Sequence, residues 1–282
     1  MFLLIFFFAT LAACKNYTDY LARTVSLTLC DGAYSYNPPK YLRKKLRASE
    51  VQTFSTNIDG GTSSGLIVTL PEHNIIALTF RAELSEPFDF ENWRRFFFPM
   101  RKWLHEGAVS KFVGDGFKKL WRGTEMKRVE RMKVQFRNTM EELPNSTVLV
   151  TGHYVGGGLA ALVAHDIVKE GLAKKEDVIL ITLGQIMVGD KDFAKAYERE
   201  VVNSFRVVTK GDLIPHVPGK RYGYAYNGKE VYYKSFGMTL TGRTGYRICF
   251  HAMCSRTHFR PIGSGAYASV TRFGLLQFGV LA

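Results

Sequence analysis

The sequence predicts an α/β fold, a mostly parallel central sheet flanked by helices, and three observations lead there. Short apolar or β-branched runs alternate with stretches of helical composition, the order that parallel strands and crossover helices require. One such run, Thr147 to Val150, passes through a glycine-flanked turn straight into a small-residue helix. A hydrophobic content of 46% over 282 residues is enough to bury a sizeable core, and no internal repeat or long linker divides it.

A short helical or loop-rich part precedes the first strands. Leu66 to Leu70 (LIVTL) and Ile75 to Phe80 (IIALTF), joined by PEHN, predict a hairpin that feeds the core. A polar and aromatic segment follows, Glu83 to Trp103. The basic run Lys118 to Arg137 comes next, and Val129, Met132, Phe136, Met140 and Leu143 recur there and just beyond it at spacings of three or four. That periodicity predicts a helix burying those side chains and turning its Lys and Arg to water.

Val150 to Leu162 then reads VTGHYVGGGLAAL, with a helix expected from about Gly157 to Gly171. A strand, a sharp glycine-flanked turn and a helix are how a hydrolase presents a nucleophilic serine, and here the serine position is Tyr154. Val178 to Leu183 is a buried strand, Asp192 to Glu200 has helical composition, and strand Ser204 to Val208 runs into TKGDLIPHVP.

The first residues, MFLLIFFFATLAAC, form an apolar run ending in small side chains. It is too short to span a bilayer and the right size for the core of a signal peptide. We therefore expect a signal peptide over 1–14, with one domain over 15–282, although Leu11-Ala12-Ala13-Cys14 also fits a bacterial lipoprotein cleavage site. Asn16-Tyr17-Thr18 and Asn145-Ser146-Thr147 are glycosylation sequons and favour a eukaryotic secretory route, hence a secreted glycoprotein.

Cys249 and Cys254 are close enough to close a small loop in an oxidising compartment, which leaves Cys30 free or paired with one of them. No Cys-x-x-Cys or Cys/His set has metal-ligand spacing, so neither a metal nor a cofactor is expected.

The formal net charge is +13, much of it in Lys40 to Arg47 (KYLRKKLR) and Lys118 to Arg137. On a secreted protein this surface favours anionic lipid headgroups or acidic glycans, with nucleic acid only as a nonspecific partner. A run of this kind is also what a solvated helix face looks like. Oligomeric state is not legible in the sequence.

With these segments in hand, the chain resembles the class 3, or fungal-type, lipase family, and most closely its secreted nematode members. TFR at 79–81 resembles the oxyanion strand and ENWRRFFFP at 91–99 the lid. LVTGHYVGGGLAAL at 149–162 resembles the nucleophile elbow, ITLGQIMVGD at 181–190 the next strand and loop, and SFRVVTKGDLIPHVP at 204–218 the triad aspartate segment. The resemblance covers most of residues 30–276 and implies an α/β-hydrolase fold with a lid-like segment after the oxyanion strand.

The family's reaction uses serine, aspartate and histidine in that chain order. On this resemblance Tyr154 stands at the nucleophile and Asp212 at the retained aspartate. Aligning the tail on Phe273-Gly274 puts Ser269 at the histidine, with His251 or His258 as the alternative base. The oxyanion amides fall at Ala82 and Val155, in an Arg81-Ala82-Glu83 segment whose Glu83 either opposes an oxyanion or points to water.

The lid carries Trp93, Arg94, Arg95, Phe96, Phe97 and Phe98, with Trp103, Arg101 and Lys102 beyond. Aromatics interleaved with cations suit a lipid–water interface, and some of the rings are equally suited to core under a helix. These readings together imply a triad-defective lipase-like protein of lipid metabolism that binds lipid or a lipid surface. The alternatives are an active ester or triacylglycerol hydrolase with a non-standard nucleophile or base, and a basic module for anionic membranes or glycans.

Overall fold

Among the described residues, eight strands form one sheet, in the spatial order Glu50–Ile58, Gly61–Leu70, Ile75–Leu84, Thr147–His153, Val178–Leu183, Ser204–Thr209, Lys229–Tyr233 and Tyr246–Cys249. The structure, a computed structural model, describes residues 17–85, 94–95, 97–123, 132–234, 238, 245–249 and 254–257. Both the signal-peptide prediction and Asn16 lie outside these residues.

Two N-terminal helices come first. A π-helical stretch, Leu21–Ser26, continues into α1 (Leu27–Tyr34), and α2 is Pro38–Leu46. The strands β1 (Glu50–Ile58), β2 (Gly61–Leu70) and β3 (Ile75–Leu84) then form an antiparallel meander. The predicted hairpin is β2 and β3, longer at each end than its apolar core. β1 carries no clear apolar alternation because it is an edge strand, largely exposed or half-buried.

A two-stranded ribbon, β4 (Met100–Lys102) and β5 (Ala108–Ser110), leads into α3 (Lys111–Gly116) and its π-helical continuation Phe117–Arg122. The basic run is therefore not one helix. Gly123, at φ +74°, ends the first segment, and α4 is described over Met132–Glu142. Met132 and Phe136 are buried as expected and Met140 is half-buried. Leu143, just past the helix end, is exposed instead, and Val129 lies outside the described residues.

The parallel part follows with β6 (Thr147–His153), α5 (Val155–Lys169), β7 (Val178–Leu183), α6 (Lys191–Glu200), β8 (Ser204–Thr209) and β9 (Lys229–Tyr233). β3, β6, β7, β8 and β9 pair in parallel, as the strand–helix alternation predicts. Val148, Leu149 and Val150 have no exposed surface, each worth about 1.5–3 kcal/mol relative to exposure. One face of the sheet packs on α1 and α2, the other on the helices from α3 to α6.

Antiparallel β10 (Tyr246–Cys249) closes the far edge, and Cys249 is disulfide-bonded to Cys254 at the start of α7 (Cys254–Thr257). Ser255 then donates from its backbone N–H and its hydroxyl to the two carboxylate oxygens of buried Glu230, 2.9 Å each. Cys30 is free and buried.

Candidate active site

The elbow forms where β6 ends and α5 begins, and its shape is set by glycines. A Cβ on Gly152 would lie 2.4 Å from Gly156 O, and one on Gly156 would lie 2.2 Å from Phe80 O. Only bare glycines let strand, turn and helix approach so closely. Tyr154 sits at the apex with φ 51° and ψ −111°, a conformation that costs a non-glycine residue about 1–3 kcal/mol. Its N–H donates to Leu183 O at 3.0 Å.

Gly156→Ala is expected to cost about 1–3 kcal/mol, because the clash is with backbone that cannot rotate away. Thermal unfolding measures it. An unchanged melting temperature would mean that β3 and α5 can separate here without loss.

Ala82 and Val155 each lie one residue from the Gly156 contact with Phe80 and Arg81, and both are half-buried. The parallel pairing of β3 with β6 ends at Phe80, so at Ala82 β3 keeps its β2 neighbour, Ser63, on one edge while its other edge runs beside the elbow. Glu83 points to water, and its carboxylate accepts from Arg81 at 3.1 Å. Arg81 also donates to Ala33 O at 2.9 Å, with its guanidinium 5.1 Å from the Tyr34 ring centre.

The Tyr154 ring stacks on His153, 3.9 Å between centres and 25° between planes. It also presses on Gly184, whose φ is +62°: a Cβ there would meet Tyr154 Cε1 at 2.5 Å and Asp212 Oδ2 at 2.9 Å. The tyrosine ring and the aspartate thus converge on one glycine. Burial, then the nearby Asp212 and Tyr34, push the Tyr154 phenol well above its ordinary pKa. Burial pushes His153 down to about 3, so its ring is neutral. His153 Nδ1 lies 3.4 Å from the Tyr34 hydroxyl.

Asp212 stands just beyond β8. Its Oδ1 accepts from Ile214 N–H at 3.0 Å, and its buried Oδ2 has no hydrogen-bond partner among the described residues. Burial raises its pKa from 3.8 to about 7, against a smaller opposing pull from the Ile214 N–H. His216 pairs instead with the Tyr226 hydroxyl at 2.7 Å. Ser269, His251 and His258 lie outside the described residues, so the site described is an elbow, an aspartate and the two oxyanion candidates.

The lid reading needs correcting. Phe97 has no exposed surface and packs 5.0 Å from the Phe112 ring, so it is core rather than lipid surface. Trp103 is buried too, donating from Nε1 to His165 Nδ1 at 3.2 Å. Phe98 is half-buried and stacked on Tyr222 at 4.1 Å. Arg94 and Arg95 are exposed; Trp93 and Phe96 lie outside the described residues.

A charged cluster not foreseen from the sequence lies on α5. Fully buried Asp166 accepts from His105 (3.2 Å), Trp121 (2.8 Å), Arg122 (2.6 Å) and Lys133 (2.9 Å). His105, Asp166 and Glu170 bring three potential metal-ligand atoms within 4.8 Å. Arg122 and Lys133 already pair with both carboxylates, so the cluster ties α5 to its neighbours by ion pairs.

The sheet order, the strained turn between β6 and α5 and the aspartate after β8 define an α/β-hydrolase. Solved structures share this fold: a lipase from Rhizopus microsporus var. chinensis has a TM-score of 0.68 at 19% identity, covering 90% of this chain and 88% of that one. Lipase II from Rhizopus niveus has a TM-score of 0.62 at 18% identity, covering 89% and 88%.

The chain belongs to the class 3 lipase family, whose description, Lipase (class 3), matches residues 78–222. It is 32% identical over 211 residues to Lipase ZK262.3 of Caenorhabditis elegans, which is 72% of this chain and 56% of that protein. It is also 33% identical over 107 residues to a lipase of Rhizopus niveus, covering 38% of this chain and 26% of the relative. The match thus spans about half of the nematode protein and a quarter of the fungal one.

Proposed function

We propose that this chain is a secreted lipase-like protein that binds lipid without hydrolysing it. The observation that carries this reading is the position of Tyr154, at the apex of the elbow with its ring on His153 and against Gly184. A serine hydroxyl at that apex passes its proton to an imidazole as it attacks. A phenol held well above its ordinary pKa stays protonated, and its half-buried ring takes up room at the apex that a serine side chain would leave.

The names of the relatives, all lipases among those cited, support lipid as the class of ligand. The Cys249–Cys254 bond and the exposed Asn145 support a secretory route. A second reading, ester hydrolysis by non-standard residues, draws on the elbow backbone and buried Asp212.

The test is hydrolysis of short- and long-chain nitrophenyl esters by the protein and by a Tyr154→Ser, Ser269→His double variant, with flotation on a triacylglycerol emulsion alongside. Lost triad members leave turnover several orders of magnitude below a working enzyme. The expected result is flotation with the emulsion and wild-type turnover at background. Wild-type turnover that a serine-directed inhibitor abolishes would overturn the reading.

A further inference from the structure

Helix α2 is a strongly charged surface element that the elbow does not use. Asn37 caps it, accepting from Lys40 N–H at 3.0 Å, and Leu42 and Leu46 anchor it to the core, Leu42 against Gly32 of α1. Lys40, Arg43, Lys44 and Lys45 are all exposed. Of the cations from Lys40 to Arg47, only Arg47, just past the helix, pairs with a carboxylate among the described residues, Glu72 at 2.9 Å. Lys40, Arg43 and Lys44 follow helical spacings of three and four, so they share one face, spanning about 6 Å along the helix axis.

Two further features orient this face. Tyr36, in the turn between α1 and α2, is fully exposed, an aromatic with a polar tip of the kind that settles at a membrane–water boundary. Two residues earlier Tyr34 contacts His153, and Ala33 O holds Arg81, so the same turn borders the elbow.

We propose that Tyr36 and the basic face of α2 dock the protein on an anionic phospholipid bilayer, with the elbow brought to the membrane beside them. The proposal rests on the lipid-binding reading above and adds where and to what headgroup charge the protein binds. Charge complementarity favours the bilayer: unpaired cations attract an anionic surface, each strengthening binding about five-fold near it, and an exposed ring supplies the apolar contact. The attraction falls off over a Debye length, about 8 Å at physiological salt.

The experiment is vesicle co-flotation of the full chain, using phosphatidylcholine vesicles with and without about one-third phosphatidylserine. Three proteins are compared: wild type, Lys40→Gln/Arg43→Gln/Lys44→Gln, and the charge-matched control Lys174→Gln/Lys175→Gln/Lys195→Gln, whose lysines are also exposed. Wild type and control are expected to bind the anionic vesicles in a salt-sensitive way, with the α2 variant weaker by roughly 100-fold. Tyr36→Ala is expected to weaken binding without altering its salt dependence.

Equal losses in the two triple variants would reduce the effect to net charge and overturn the proposal. Unimpaired anionic binding by the α2 variant, or equal wild-type binding to both vesicles, would overturn the placement while leaving lipid binding intact. Wild-type binding to neither vesicle but to heparin would overturn the proposal in favour of an acidic glycan; emulsion flotation then reports separately on the lipid-binding reading.

Discussion

Asp166→Ala is expected to lower the melting temperature by on the order of 10 °C. The carboxylate is fully buried yet ionised: burial opposes the charge, but hydrogen bonds from Arg122, Trp121 and Lys133 outweigh it and hold the carboxyl below its ordinary pKa. Removing it leaves Lys133, itself mostly buried, and Arg122 with Glu170 as their only shared carboxylate among the described residues. Breaking a buried pair from one side costs about 3–5 kcal/mol, and each kcal/mol is worth about 2–4 °C in a chain near this length.

The sign with pH follows. A depressed carboxyl pKa gives stability that is present above the unfolded value near 3.8 and lost as pH falls through the folded one. The pair Asp166→Leu with Lys133→Met is expected to recover part of the loss, since two apolar groups leave no stranded charge. A melting temperature for Asp166→Ala within a degree or so of wild type would show that the cluster does not hold α5.

Asp212→Asn is expected to do the opposite and stabilise the protein at alkaline pH. Burial raises the Asp212 pKa from 3.8 to about 7, so between these values the folded state holds a proton that the unfolded state has released. The stability linked to that proton is complete below about pH 4 and lost as pH rises through about 7. The loss is at most about 4 kcal/mol, three pH units at 1.36 kcal/mol each. An amide carries no charge to bury, so wild type and variant should match near pH 4 and diverge by pH 8. Parallel melting curves across that range would mean that Asp212 is solvated or paired when folded.

What the sequence revealed depended on which neighbours each residue has. β6, β7 and β8 were legible because a parallel strand buried on both faces is an unbroken apolar run, as in VILITL. The elbow was legible because its glycines serve contacts within a few residues, Gly152 against Gly156. Phe97 was misplaced because ENWRRFFFP has no periodicity to separate a ring facing Phe112 from one facing water. Asp166 was invisible because its partners, Lys133, Arg122, Trp121 and His105, lie 33 to 61 positions away and meet only in the fold.

The elbow also bears on how the site can change over generations. Gly152, Gly156 and Gly184 fix the backbone around position 154, and that position keeps its strained angles while carrying a bulky ring. A tyrosine codon becomes a serine codon by one base change, so a hydroxyl nucleophile is one mutation away on a backbone already bent for it. No serine codon becomes a histidine codon in one step, and Ser269 holds the position that family resemblance gives to the base. On the non-hydrolysing reading proposed above, the path back to acyl transfer is uneven: the turn and its nucleophile are near in sequence space, while the proton acceptor is at least two mutations off.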